Sequence, residues 1–250
     1  MKKLHFYSVV MSTLLLSLTS CLKQEGGNFQ SFVYEPVVIV AGDAEPLASS
    51  VVPGLSRFLI PGLAGRVSAG DCLLLSFKID FDNQPNSSYY TATEIKSVAL
   101  PPPILAEKAD TSVVEGYGEP VVAAAVLASN YGAKALIGDL LFFVMEQKAN
   151  KTYSYRMVYR PAPANLSPEY TPVISLYISA KLEADAPANT IDDNTYARVF
   201  DLSGLRTYLS GDLGLSNTQQ SVKIYCRVED NSEGEAVFQE FGSIDIRLAD

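Results

Sequence analysis

The chain of 250 residues has no tryptophan, a single histidine at position 5 and three cysteines. Each scarcity excludes something. His5 lies in an N-terminal stretch that has the form of a cleavable signal, so the mature chain would have no imidazole. Ser-His-Asp and Cys-His nucleophiles would then be ruled out, as would zinc sites with imidazole ligands. Without tryptophan the commonest aromatic surface for stacking sugar rings is missing. Basic clusters are missing too. Beyond residue 20 no two Lys or Arg residues are adjacent, and loss of Lys2 and Lys3 would take the formal charge from −9 to −11. An acidic chain without basic patches is not expected to bind nucleic acid or to make a polybasic membrane contact.

What is present begins with Leu18-Thr19-Ser20-Cys21. Lys2 and Lys3 precede an apolar run from Val9 to Leu18, too short to span a bilayer stably, and the tetrapeptide that closes it has the form of a bacterial lipobox. Cleavage would make Cys21 the first mature residue and the lipid attachment site. Acyl chains such as palmitate gain roughly 0.8 kcal/mol per buried methylene, and two or more hold a protein durably on a membrane. Residues 1–20 are therefore expected to be a signal peptide. Residues 21–28, with two glycines and no apolar periodicity, are expected to be a flexible tether. Position 22 is leucine rather than aspartate, which points to the outer membrane over the inner.

The rest reads as all-β. Phe32 to Val40 is a strand that tolerates Pro36 only at an edge or bend. In Asp71 to Phe81, residues Leu73, Leu75, Phe77, Ile79 and Phe81 share one face, and Ser76, Lys78 and Asp80 share the other. After a loop of turn formers at 82–86, Tyr89 to Val98 returns as a strand. Residues 29–100 suit a small OB-like barrel. Pro101-Pro102-Pro103 is expected to open a stiff linker over 101–111. Residues 112–250 then carry strands at 121–129, 140–147, 153–160, 173–182, 197–202, 221–229, 237–241 and 244–248. That spacing is expected for an immunoglobulin-like β-sandwich.

This layout resembles the NigD-like lipoproteins of Bacteroidetes. The residues that carry the likeness are Gly70-Asp71 leading into Cys72 to Ile79, and Tyr89-Tyr90 to Ile95. In the second half they are Val199 to Leu205, Val222 to Tyr225, and Glu233 to Phe238. The resemblance implies an OB-like first domain, an immunoglobulin-like second domain and an envelope location, but no reaction.

Candidate chemistry is sparse. Asp80, Asp82, Asn83 and Asn86 could offer oxygens to calcium, yet they lack the EF-hand glycine and late glutamate, so a solvated loop is expected. Asp192, Asp193 and Asn194, with Asp185 nearby, read the same way. The ladder Tyr153, Tyr155, Met157 and Tyr159 could stack sugars, but as the more apolar face of its strand it is expected in the core. Tyr89 and Tyr90 should point to opposite faces, leaving at most one exposed. Carboxylates at 183–193 and 229–235, Glu233 among them, show no spacing that pairs two for hydrolysis. Cys226 alternates with Val222, Ile224 and Val228 as a small buried hydrophobe. A bridge to Cys72 is the alternative an oxidising envelope would permit. No catalytic residue, metal or cofactor is expected. The expected role is a non-catalytic envelope lipoprotein, held to the membrane by lipid on Cys21, that binds or scaffolds a protein or glycan partner. The alternatives are a fimbrillin-type subunit, for which Arg57 or Arg66 would be the processing site, and a carbohydrate-binding lipoprotein of a glycan-uptake system.

Overall fold

The computed structural model describes residues 27–42, 44–85, 88–109, 117–147, 152–160, 174–183, 195–215, 219–229 and 236–248. It is nearly all β and divides into two units. The first comprises the described residues up to Ala99 together with Ala128–Ala133. The second comprises those from Leu100 to Leu127 and from Lys134 onward.

The first unit is a closed five-stranded barrel. Its strands β1 (Phe29–Ala41), β2 (Leu47–Ser49), β3 (Arg57–Leu59), β4 (Cys72–Asp80) and β5 (Tyr90–Ala99) are joined in the order β1-β2-β3-β5-β4, and β4 pairs back onto β1. This is the expected OB-like barrel. Its core follows from alternation: Phe32, Val37 and Ile39 of β1 meet Leu73, Leu75, Phe77 and Ile79 of β4, all buried. Phe77 is the hub, stacked 4.6 Å from Phe32 and 4.7 Å from Phe58.

Closing so small a barrel needs sharp bends, and bulges provide them. On β1 the register slips between Phe32 and Glu35, with Tyr34 at φ 51°. On β5 it slips opposite Ser76 and Lys78, with Glu94 at φ 51°. Pro36 follows the first bulge, where β1 pairs with β4 alone; β2 joins only from Val38. The missing N–H therefore interrupts no ladder on the second edge, in keeping with the expected bend. The Gly70-Asp71 pair is also structural. Gly70 at φ 93° donates to the Ile39 carbonyl, Ile39 donates to the Asp71 carbonyl, and the Asp71 carboxylate accepts from Ser68 N–H. A left-handed residue at that turn favours glycine.

The second unit packs two sheets around one core. The first contains β6 (Ile104–Leu105), β13 (Thr195–Asp201), β10 (Leu140–Glu146) and β8 (Ala123–Val126) in that order, with β9 (Leu136–Ile137) also on β10. The second runs β15 (Ala236–Arg247), β14 (Gln219–Glu229), β12 (Ile174–Glu183), β11 (Thr152–Tyr159), β7 (Glu107–Lys108). The apolar run in β10 is a central strand, as expected, and 121–129 contributes a strand rather than a helix. The short β6 and β7 fall within the stretch 101–111, and each adds in parallel to the end of a longer strand.

Three features differ from expectation. Residues 237–241 and 244–248 form one strand instead of two, because Gly242, at φ 146°, sits in a bulge opposite Ile224 and Tyr225 rather than in a turn. β12 and β14 pair in parallel, so the chain crosses between them through β13 and a helix, α1 (Ser203–Thr207), that continues as a π turn at Tyr208–Asp212. That helix has no long amphipathic period to reveal it. It forms because Leu205 and Leu209 bury completely, while the Asp201 carboxylate accepts from Ser203 N–H and Arg206 pairs with Asp139. Among the described residues no helix is long and apolar enough to cross a membrane.

Candidate functional site

Cys21 and the whole lipobox, Asn86, the acidic loop holding Asp185, Asp192, Asp193 and Asn194, and Glu233 lie outside the described residues. The others can be placed. The Asp80 carboxylate is consumed within its own loop: it accepts from Asp82 N–H, Asn83 N–H and the Asn83 amide, and those bonds hold its pKa below the usual carboxylate range. Asp82 accepts instead from Asn28 N–H. This is an Asx-turned hairpin loop. Arg57 is an exposed residue of β3, and Arg66 donates to the Gly62 carbonyl.

The tyrosine ladder is core. Tyr153, Tyr155, Met157 and Tyr159 are all buried, with Tyr153 and Tyr155 against the ring of Tyr196. A sugar platform at those residues is excluded by their burial. Tyr89 and Tyr90 correct the expectation that at most one is exposed. Each is 36% exposed, because β5 begins only at Tyr90 and Tyr89 precedes the strand's alternation. Cys72 and Cys226 are both free and buried, so the bridge does not form. Burial pushes the Cys72 thiol up to about 11, with Asp71 adding to the effect, and burial alone pushes Cys226 higher still. Neither is an activated nucleophile.

Two constellations were not legible in the sequence. The first is Glu35, which is fully buried in the β1 bulge. Its Oε2 accepts from the backbone N–H of Asn130 at 3.0 Å and from the Asn130 amide at 2.8 Å, whereas Oε1 has no partner. The Asn130 amide also exchanges hydrogen bonds with the backbone of Val33, imitating a strand residue. Burial raises the Glu35 pKa, and the two bonds from Asn130 oppose it. No period in the sequence connects positions 35 and 130.

The second constellation lies on the outer face of the sheet that holds β12, β14 and β15. Tyr177 and Tyr225 are direct cross-strand partners whose rings stack at 5.3 Å, and Phe238 meets Tyr177 edge-on at 5.2 Å. The Arg160 guanidinium lies 4.9 Å over the Tyr177 ring. The Tyr225 hydroxyl donates to Glu240 at 3.3 Å, and Glu240 pairs with Lys223 at 2.9 Å. The Lys223 bond holds the Glu240 carboxyl below its usual range. Stacking occupies the ring faces; Tyr177, Tyr225 and Phe238 are half-buried, and Arg160 is exposed. The alternation of half-buried Ser175 and Tyr177 against buried Ile174, Leu176 and Ile178 is the one sequence signal for this face.

A barrel of OB type followed by a two-sheet β unit defines the structural class. No family model and no curated protein matches the sequence. Solved structures do share the fold. One is an uncharacterized protein of Parabacteroides merdae, 17% identical, covering 88% of this chain and 99% of its own, with a TM-score of 0.57. Another is a candidate lipoprotein of Bacteroides fragilis, 11% identical, covering 88% of this chain and 98% of its own, with a TM-score of 0.53. A NigD-like immunity protein of Bacteroides caccae aligns at 12% identity over 86% of this chain and 92% of its own, with a TM-score of 0.46. That last likeness is too distant to carry a conclusion.

Proposed function

We propose that the chain is a NigD-like envelope lipoprotein, anchored through lipid on Cys21 to the outer membrane, that binds a protein partner and catalyses nothing. The carrying observation is the outer cluster Tyr177, Tyr225, Phe238 and Arg160. Aromatic residues and arginine dominate the energetic centres of protein interfaces. Rings whose faces are already stacked suit a flat protein contact better than a sugar ring. Support for the anchor is the sequence Leu18-Thr19-Ser20-Cys21 beneath a charged and then apolar start.

Two experiments test the two halves of this reading. Cys21→Ala should abolish incorporation of a clickable fatty acid and release the protein from membranes; surviving label would remove the anchor. A photo-cross-linking residue placed at Lys223, at the rim of the cluster, should trap one envelope protein in cells, and Phe238→Ala should abolish the adduct. An adduct unaffected by Phe238→Ala, or none, would refute the docking face. The lipid-free chain should show only background turnover of ester, glycoside and peptide substrates.

A further inference from the structure

Strand direction gathers three aromatic side chains at the end of the barrel where the chain from Cys21 enters. β1 and β4 run antiparallel, so the start of β1 lies against the end of β4. Phe29 pairs with Asp80, and Phe81 N–H donates to the Asn28 carbonyl at 3.0 Å. β5 starts at the same end: Ile79 pairs with Ala92, and the Tyr90 ring meets that of Phe81 edge-on at 5.0 Å. β3 lies parallel to β5 with Phe58 beside Tyr90, which sets Arg57 at this end as well.

This rim exposes what the rest of the barrel hides. Phe29 is 55% exposed, and Tyr89 and Tyr90 are 36% exposed each. The other exposed aromatic side chains among the described residues, Tyr34 and Tyr131, lie by the β1 bulge; none lies where β1 ends and β4 begins. Single exposed apolar residues are ordinary, whereas three aromatics on one rim mark a contact surface. The rim is also braced. Phe81, half-buried at the end of the core, supports the Tyr90 ring, and the Gln84 side-chain oxygen accepts from Thr91 N–H at 2.6 Å. The acids here, Asp80 and Asp82, accept from backbone N–H groups of their own loop and of Asn28. Arg57 is exposed and has no ion pair among the described residues. Tyrosine rings with a polar tip, and a long side chain that keeps its charge in water, are the groups that settle at a membrane–water interface.

Position decides the partner. Eight residues lead from Cys21 to Phe29. Even fully extended, at roughly 3.4 Å per residue, they reach about 27 Å. A lipid on Cys21 would hold this rim against its own bilayer at an effective concentration on the order of millimolar, so a weak surface affinity is enough.

We propose that the rim of Phe29, Tyr89, Tyr90 and Arg57 docks on the lipid surface that anchors the chain. The rings enter the boundary between headgroups and acyl chains, and the guanidinium stays among the lipid phosphates. One cation among aromatics is not a polybasic contact, so the acidic composition does not oppose it. Docking turns the start of β1 towards the bilayer and the Gly70 turn away from it. The proposal rests on the lipid anchor at Cys21 proposed above, and its test supplies an artificial anchor so that the two can fail separately.

The chain has no tryptophan, so a single introduced one reports alone. Mature chains carrying Phe29→Trp, Tyr90→Trp or, near the far end of β1, Val40→Trp would be coupled through Cys21 to vesicles of phosphatidylethanolamine and phosphatidylcholine that contain a maleimide lipid. The buried thiols of Cys72 and Cys226 do not compete. With brominated acyl chains in the vesicles, Phe29→Trp and Tyr90→Trp should be quenched about twofold and shift to the blue, as rings lying about 5–10 Å deep would be. Val40→Trp should show neither change. Adding Tyr89→Ser and Arg57→Gln to the Phe29→Trp chain should weaken its quenching. Should Tyr90→Trp fail to fold against Phe81, the more exposed Phe29→Trp carries the test. Unquenched emission from Phe29→Trp would overturn the proposal and leave the rim to a protein partner. Equal quenching of Val40→Trp, or quenching of Phe29→Trp that the added substitutions leave unaltered, would overturn it too. Failure of fatty-acid labelling in cells would remove the natural anchor without touching the result on coupled vesicles.

Discussion

At the scale of single residues, Glu35 is the most consequential side chain of the barrel unit. Its carboxylate is buried with one oxygen unpaired, and burial raises its pKa. A carboxyl group that holds its proton more tightly folded than unfolded contributes stability that is fully present below the unfolded value near 4.5. That stability is lost as pH rises through the raised folded value. Urea titrations should therefore show the barrel weakening between about pH 4.5 and neutrality, and Glu35→Gln should flatten that slope. A slope unchanged by the substitution would show that folding does not shift the Glu35 pKa. Asn130→Ala removes the amide bond to Oε2 and leaves only the backbone N–H on that oxygen, and should cost about 2 kcal/mol at neutral pH, because a buried charged acceptor loses a donor. The cysteines provide a second check. With thiols at about 11 and above, neither Cys72 nor Cys226 should react with a disulfide reagent at pH 8 until denaturant is added.

At the scale of elements, two strands show how far periodicity reaches. In β4 the alternation of Leu73, Leu75, Phe77 and Ile79 is carried straight into the barrel core, because period two and one-sided burial are the same geometric fact. Phe77→Ala would remove the ring that stacks on both Phe32 and Phe58, and should cost about 4 kcal/mol in a urea melt. In β15 the same reasoning stops short. A glycine between two apolar runs reads as a turn, yet the β14 ladder continues past it, and the extra residue is absorbed as a bulge. Whether a glycine turns or bulges depends on the strand opposite, which local sequence does not contain. Gly242→Ala should cost about 1–2 kcal/mol, because the φ of 146° disfavours any side chain even though the space around it is empty. α1 was illegible for a related reason. Five residues are too few for a helical period, and burial of Leu205 and Leu209 holds them.

At the scale of the whole molecule, the chain does not divide at a single point. Ala128–Ala133, far along the sequence, belongs with the barrel, where Asn130 completes the bulge of β1. A fragment ending at Ala99 should therefore melt at lower temperature and lower urea than the barrel in the intact chain. A fragment as stable as the intact barrel would show that the Asn130 bonds contribute nothing. What the sequence by itself determined is what depends on composition and short-range period: the all-β class, the inward face of nearly every long strand, and the core position of the 153–159 ladder. Only the tertiary structure decided which distant residues meet. It joined Glu35 to Asn130 and stacked Tyr177 on Tyr225 across parallel strands. The physical reason is that alternation tells a side chain which way to face, while partners across sheets are chosen by register, bulges and crossovers summed along the whole chain.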